Sequence, residues 1–282
     1  MSKKSILAVF LITALAICGL AYFTSSSAKT NDNYMNPLFK EYISAYTSGI
    51  VSVESKVLII LQEETTSEVE IGKAVENNLF SFSPSIEGKL TWLDKKTIEF
   101  KPTEKLKTNQ AYKATFNLGN VISVSDDLKS FDFNFTTLKQ ALEITIDEYK
   151  VDEKNDLQIL GTLTTADFAE NTAVEKTIVA YQNGPALPIN WIHENSTTHH
   201  FSINQVQKGK GNVVLNINGD AIGAEVDENK REITIPKADD FTLINFSIND
   251  EPDQYVNLQF SDRLDPNQNL DGLISKIGRA HV

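Results

Sequence analysis

The sequence predicts an all-β chain built from tandem immunoglobulin-like β-sandwich domains, and three observations carry that prediction. Apolar residues recur with period two in short runs, whereas long period-3.6 segments are scarce. The runs are separated by Gly, Asn, Asp and Pro turns such as Asn183-Gly184-Pro185 and Asn218-Gly219-Asp220. At 282 residues, 41% hydrophobic and 23% charged, the chain can form more than one packed core.

The elements follow in order. Lys3 and Lys4 precede Ile6 to Phe23, an uncharged and mostly apolar run, and Thr24-Ser25-Ser26-Ser27-Ala28 follows. This is the layout of a secretory signal cleaved after Ala28. The run is also nearly long enough to span a bilayer as an uncleaved signal anchor. Cys18 offers a third route, acylation, but the bulky Ile17 before it and the apolar residues after it argue against a lipoprotein signal. Residues 1–28 are therefore a signal peptide or anchor, a possible membrane tether through 6–23, and each route exports the chain. Residues 29–41 are a polar linker. Residues 42–138 form a first sandwich, in which Tyr112, Ala114 and Phe116, then Phe131, Phe133 and Phe135, occupy alternate positions facing one core. Thr137-Leu138-Lys139-Gln140 leads into a second sandwich, 139–238, with Leu142, Ile144 and Ile146 and later Val213, Leu215 and Ile217 in alternation. Ile235-Pro236-Lys237-Ala238-Asp239-Asp240 breaks any strand there. Residues 239–276 begin a third, truncated sandwich, whose Val256 to Phe260 run echoes Val57 to Leu61. Ser67 to Asn77 is the single helical candidate.

The formal net charge is −12 and no basic stripe interrupts it, which excludes nucleic acid as a partner. Cys18 is the only cysteine, so the exported part contains no disulfide, thiol nucleophile or thiolate metal site. An exported chain without disulfides suits the periplasm or cell envelope of a bacterium, with cores large enough to stand alone.

Few residues suggest chemistry. His193, His199 and His200 are close in sequence, but adjacent strand residues point to opposite faces, so they read as surface histidines on a hairpin whose turn is Asn195-Ser196-Thr197. Asp265, Asn267, Asn269 and Asp271 open like a calcium loop. Leu270 then stands where the sharp turn needs glycine, and Lys276 where a bidentate glutamate belongs, so this is a solvated turn. Trp92 and Trp191 could stack on sugars, but each lies in an apolar stretch and reads as core. There is no Gly-rich phosphate loop, Ser elbow or paired-carboxylate constellation. We expect no catalytic residue, no cofactor, no metal and no enzyme activity.

One reverse translation of residues 277–282, Ile277-Gly278-Arg279-Ala280-His281-Val282, is ATCGGAAGAGCACACGTC. That string looks like the start of a common sequencing adapter read in frame. An AAG codon for Lys276 supplies the two bases that precede it. We expect these six residues to be an artefact and the gene to run on past Lys276.

Tyr42-Ile43-Ser44-Ala45-Tyr46-Thr47-Ser48-Gly49-Ile50-Val51-Ser52 resembles the opening strand of large bacterial alpha-2-macroglobulin-like proteins. The likeness continues through Phe82-Ser83-Pro84-Ser85-Ile86-Glu87-Gly88 and Lys89-Leu90-Thr91-Trp92-Leu93-Asp94. It extends through Thr97 to Pro102 and Leu106 to Tyr112, the marks of one macroglobulin-type sandwich. Leu258 to Pro266 and Gly272-Leu273-Ile274 are similar to the start of a later module; the middle sandwich matches in layout only. Read alone, Pro84 fixes a turn, Gly88 permits positive φ, Trp92 fills a core and Pro102 ends a strand. The resemblance implies a protease trap. In such a trap stacked modules frame a bait segment, cleavage of the bait closes the frame on the protease, and many members carry a thioester. Bait and thioester lie downstream in that family, so this chain would supply the frame, with proteases as partners through the missing regions. The alternatives are an envelope adhesin or glycan-binding protein of immunoglobulin-like repeats, and the non-catalytic front end of an envelope enzyme.

Overall fold

The computed structural model describes residues 36–271 except 67, 152–155, 250–251, 253 and 270. The signal or anchor segment, Cys18, Gly272-Leu273-Ile274, Lys276 and the adapter-like tail lie outside the described residues. A short 3₁₀ turn, Pro37–Glu41, opens the described chain. Among the described residues no helix is long and apolar enough to cross a membrane.

The chain is a tandem of β-sandwiches. The first sandwich begins with β1 (Ile43–Tyr46), β2 (Gly49–Val51), β3 (Val57–Leu61), β4 (Ala74–Glu76) and β5 (Phe80–Ser83). β6 (Gly88–Trp92), β7 (Thr97–Pro102), β8 (Ala111–Phe116) and β9 (Phe131–Thr137) complete it. One sheet has the order β1-β3-β7-β6-β4 and the other β2-β9-β8-β5. Between β1 and β2 the strand changes sheets at Gly49, whose φ of +74° a side chain would resist. β2 then pairs with β9 in parallel, Gly49 opposite Phe135. The alternation read in β8 and β9 is realised, and Phe116, Phe131 and Phe135 are fully buried. Phe82 packs on Phe80 and Phe100, and Phe116 on Phe80, with centroids 4.7–5.9 Å apart, within the range in which aromatic pairs add to simple burial. Trp92 is buried in this core, and Pro102 ends β7, as the sequence predicts.

Two local readings need correction. The helix expected over Ser67 to Asn77 does not form across the described residues 68–77. Ile71 bridges Trp92, Gly72 takes a φ of +74°, and residues 74–76 form β4 on the sheet edge. A left-handed glycine in mid-segment breaks a helix that the composition alone would allow. Gly88 has no positive φ. Its role is close approach, because a Cβ there would lie 2.4 Å from the Lys101 carbonyl oxygen and 2.5 Å from the Phe100 ring.

The second sandwich contains β10 (Leu142–Val151), β11 (Leu157–Thr165), a single helical turn α1 (Asn171–Val174), β12 (Ile178–Tyr181) and β13 (Ile189–His193). β14 (Thr198–Val206), β15 (Val213–Ile217) and β16 (Lys230–Ile233) follow. Its sheets are β10-β11-β14-β13 and β12-β15-β16. They close on Leu157, Ile159, Leu163, Val174, Ile203 and Leu215. Gly161 sits on the inner face of β11 opposite Phe201, whose ring fills the missing side chain's place. β17 (Leu243–Asn249) and β18 (Tyr255–Phe260) form a separate hairpin. Its pairs Phe246↔Leu258 and Ile248↔Val256 share one face, and Asn245↔Gln259 the other.

A Cβ at Gly161 would lie 2.4 Å from both the Phe201 ring and the Thr145 carbonyl oxygen, and the latter is backbone that cannot step aside. Gly161→Ala is therefore expected to destabilise the protein by about 1–3 kcal/mol. Gly184→Ala, whose new methyl would meet only a carbonyl oxygen at 3.8 Å, leaves stability unchanged. Urea denaturation of the two variants side by side checks the contrast.

Candidate functional site

The best-organised polar cluster lies where the first sandwich meets the second. Asp167 follows β11 in a bend and is buried. Its carboxylate accepts hydrogen bonds from the Ser52 hydroxyl at 2.6 Å and the Val53 backbone N–H at 2.7 Å, both just after β2 in the first sandwich. A third comes from the Phe168 N–H at 2.8 Å. Three donors around one carboxylate replace its lost hydration, which is what lets a charge sit out of water.

Gln140, also buried, grips the same loop from the connecting segment. Its side-chain N–H group donates to the carbonyls of Asp167 and Phe168 at 3.1 Å, and its carbonyl accepts from the Asp167 N–H at 3.0 Å. The connecting segment is fixed to the first sandwich in turn. The Leu138 N–H donates to the Val51 carbonyl at 2.8 Å, and the Thr108 hydroxyl donates to the Leu138 carbonyl at 2.8 Å. The Gln140 N–H donates to the Thr108 hydroxyl oxygen at 2.8 Å. Backbone and side chains thus leave no slack between β9 and β10.

A charged rim surrounds this centre. The Lys105 ammonium pairs with Glu170 and lies 3.5 Å from the centre of the Phe168 ring. Lys139 and Glu225 pair at 2.6 Å. Their mutual hydrogen bond lowers the Glu225 pKa and raises that of Lys139. Both are solvent-exposed, so screening leaves this pair a minor contributor.

The histidines divide between faces as strand geometry requires. His200 points outward, near Glu194 at 3.1 Å. His199 does not lie on the surface as read from sequence. It occupies an inner position of β14 in line with Phe201 and Ile203 and is completely buried. Its Nδ1 is 2.9 Å from Nδ1 of His193, and His193 Nε2 is 3.3 Å from Glu175. Among the described residues no group of three or more His, Cys, Asp or Glu is placed to hold a metal ion. Trp191 stacks on His193 and packs against Phe201 at the second core, so neither tryptophan offers an open platform. In the turn after β18 the Asp265 carboxylate accepts from the Asn267 N–H, and the Asn269 side chain from the Asp271 N–H, both at 2.9 Å. These oxygens are turned onto their own backbone; Leu270 and Lys276 lie outside the described residues.

Sequence reasoning missed Asp167 and Gln140. Each is a lone polar residue beside a strand end, and their partners lie up to 115 positions away. No local pattern distinguishes them from ordinary turn residues.

No protein-family model and no curated protein matches this chain. Among solved structures, an L,D-transpeptidase from Mycobacterium tuberculosis H37Rv aligns at 12% identity and a TM-score of 0.25, over 54% of this chain and 59% of that one. L,D-transpeptidase 3 from Mycobacterium tuberculosis aligns at 12% identity and 0.25, over 54% and 58%. A chaperone–tip adhesin complex of CFA/I fimbriae aligns at 13% identity and 0.22, over 68% and 99%. The chain spans less than two thirds of the length of those transpeptidases, and likenesses this slight carry no argument about activity.

Hydrogen bonds to a buried charge are worth about 1.5–3 kcal/mol each, and stranding the buried Val53 N–H adds a penalty. These terms do not add in full, because the carboxylate's own desolvation cost leaves with it, so Asp167→Ala is expected to cost about 3–5 kcal/mol and to split thermal unfolding into two transitions, one per sandwich. Lys139→Met leaves both features unchanged. Differential scanning calorimetry distinguishes the two outcomes.

Proposed function

We propose that this chain is the N-terminal structural frame of a bacterial alpha-2-macroglobulin-like protease inhibitor, exported to the periplasm or cell envelope and tethered or processed through residues 1–28. In this reading the frame is non-enzymatic. The bait segment and any thioester belong to sequence beyond Lys276, and proteases are the partners those regions engage. The observation that supports it is the joint centred on Asp167. A trap must hold its modules at fixed angles until its bait is cut, and the carboxylate fixes one module on the next through directional bonds from both. The hairpin of β17 and β18 is consistent with further modules in the array. Its polar face is bonded to β10, with the Asn245 side chain donating to the Asp147 carbonyl at 3.1 Å and the Gln259 side chain accepting from the Tyr149 N–H at 3.2 Å.

The test begins with a long read of the locus through the codon for Lys276. The full-length product is then mixed with a broad-specificity endopeptidase. A trap abolishes cleavage of a large protein substrate and spares cleavage of a short chromogenic peptide. Unimpaired cleavage of the large substrate sinks the proposal, and near-identical repeats downstream without a bait would move the reading to an adhesin.

A further inference from the structure

The second sandwich buries a titratable ring beside the turn of the hairpin that supports the Asp167 loop. His199 is 0% exposed, and its Nε2 has no hydrogen-bond partner. Its Nδ1 faces Nδ1 of His193 at 2.9 Å. Two ring nitrogens at that distance share one proton well and two badly, because a second N–H would point straight at the first. Glu175, just after α1, faces Nε2 of His193 at 3.3 Å. With one proton between them, one Nδ1 donates and the other accepts; a proton on both leaves two N–H groups opposed at 2.9 Å.

The other charged groups around the pair come from each neighbouring element. Glu170, in the loop before α1, lines a cleft together with His193. On the outer face of β13 and β14, Glu194 faces His200. Asp167 lies on the loop that leaves β11.

That loop is what couples the pair to the joint. The turn between β13 and β14 supplies two backbone acceptors, with the Thr165 N–H donating to the Thr197 carbonyl at 2.9 Å and the Ala169 N–H to the Ser196 carbonyl at 3.1 Å. The segment so held carries Asp167, which reaches across to Ser52 and Val53. His193 and His199 are directly paired across the same hairpin, one step from its turn.

We propose that the His193–His199 pair is a proton-operated release for the joint between the two sandwiches: a second proton on the pair drives β13 from β14 at the turn and frees the loop that carries Asp167. Burial first, then the charges of His193 and His200, hold the His199 pKa below its ordinary value of 6.5. The open form, with His199 in water, therefore binds the proton more tightly than the closed form. The stabilisation is complete above pH 6.5 and is lost as the pH falls from there toward the closed-state pKa. The inference is independent of what the frame encloses.

The experiment is amide hydrogen exchange of the Val53 N–H, corrected for intrinsic rates, between pH 7.5 and 5. Protection is expected to fall by up to about tenfold per pH unit below 6.5, the limit for uptake of one proton. His199→Leu, which keeps the site apolar and filled, removes that fall, and His200→Gln retains it. The wild-type ring nitrogens, followed by long-range ¹H–¹⁵N spectra, show His199 taking its proton in the same window. The proposal is overturned if protection falls equally in His199→Leu, which would show that the fall does not depend on the buried ring. It is also overturned if His200→Gln abolishes the fall, or if His199 titrates with no change at Val53.

Discussion

The arrangement of this chain depends on one buried carboxylate. Each sandwich has its own core and could close on its own apolar residues, but nothing in two separate cores sets the angle between them. Asp167 does. It draws a hydroxyl and a backbone N–H from the first sandwich and a backbone N–H from its own loop. Because hydrogen bonds to a charged acceptor are short and directional, the geometry tolerates little rotation. An apolar contact of the same size would bind but would not orient. Gln140 makes the arrangement single-valued, since its amide satisfies both the N–H and the carbonyl of Asp167 from a segment already tied to the first sandwich.

The two cores show why each sandwich forms at all. In the first, clustered phenylalanines fill the space between sheets, and Gly88 lets the β6 backbone come close to β7. The second uses fewer aromatics and more branched aliphatics, with the Phe201 ring laid over Gly161. In both, a glycine at an inner strand position marks where a neighbouring ring needs room. The hairpin of β17 and β18 reverses the usual amphipathic logic. Its asparagine and glutamine side chains face β10, while Phe246, Ile248 and Val256 are exposed at 61%, 64% and 58%. Two strands by themselves bury too little to be stable alone, so the bonds to β10 are part of what holds them.

Much of this was legible in the sequence, because period-two burial is a local property. Phe131, Phe133 and Phe135 announce an inner face, Pro102 a strand end, and Trp92 a core position. The failures share a different cause. Gly88 suggests positive φ when taken alone, because its close approach to Phe100 depends on a strand that sequence does not place beside it. Polarity alone puts His199 at the surface, whereas its alternation with Phe201 and Ile203 puts it inside. Asp167 left no trace at all. Its partners lie in another sandwich, and aspartate is among the residues that dominate turns.

The choice of a polar rather than an apolar joint has a physical consequence for a modular chain. Modules emerge and fold one after another, so each must stay soluble before its neighbour exists. An apolar face awaiting a partner is an aggregation hazard in that interval, whereas Ser52, Val53 and Asp167 can be hydrated until they meet. Stability is then conditional, because the bonds hold firmly only once the neighbouring sandwich has excluded water. A carboxylate joint of this kind can form late, set one angle, and still be undone by local changes in its supporting loop. That loop hangs from Ser196 and Thr197 at one end and from Gln140 at the other. The loop that carries the carboxylate is therefore held from two places, one of which sits beside a buried histidine pair.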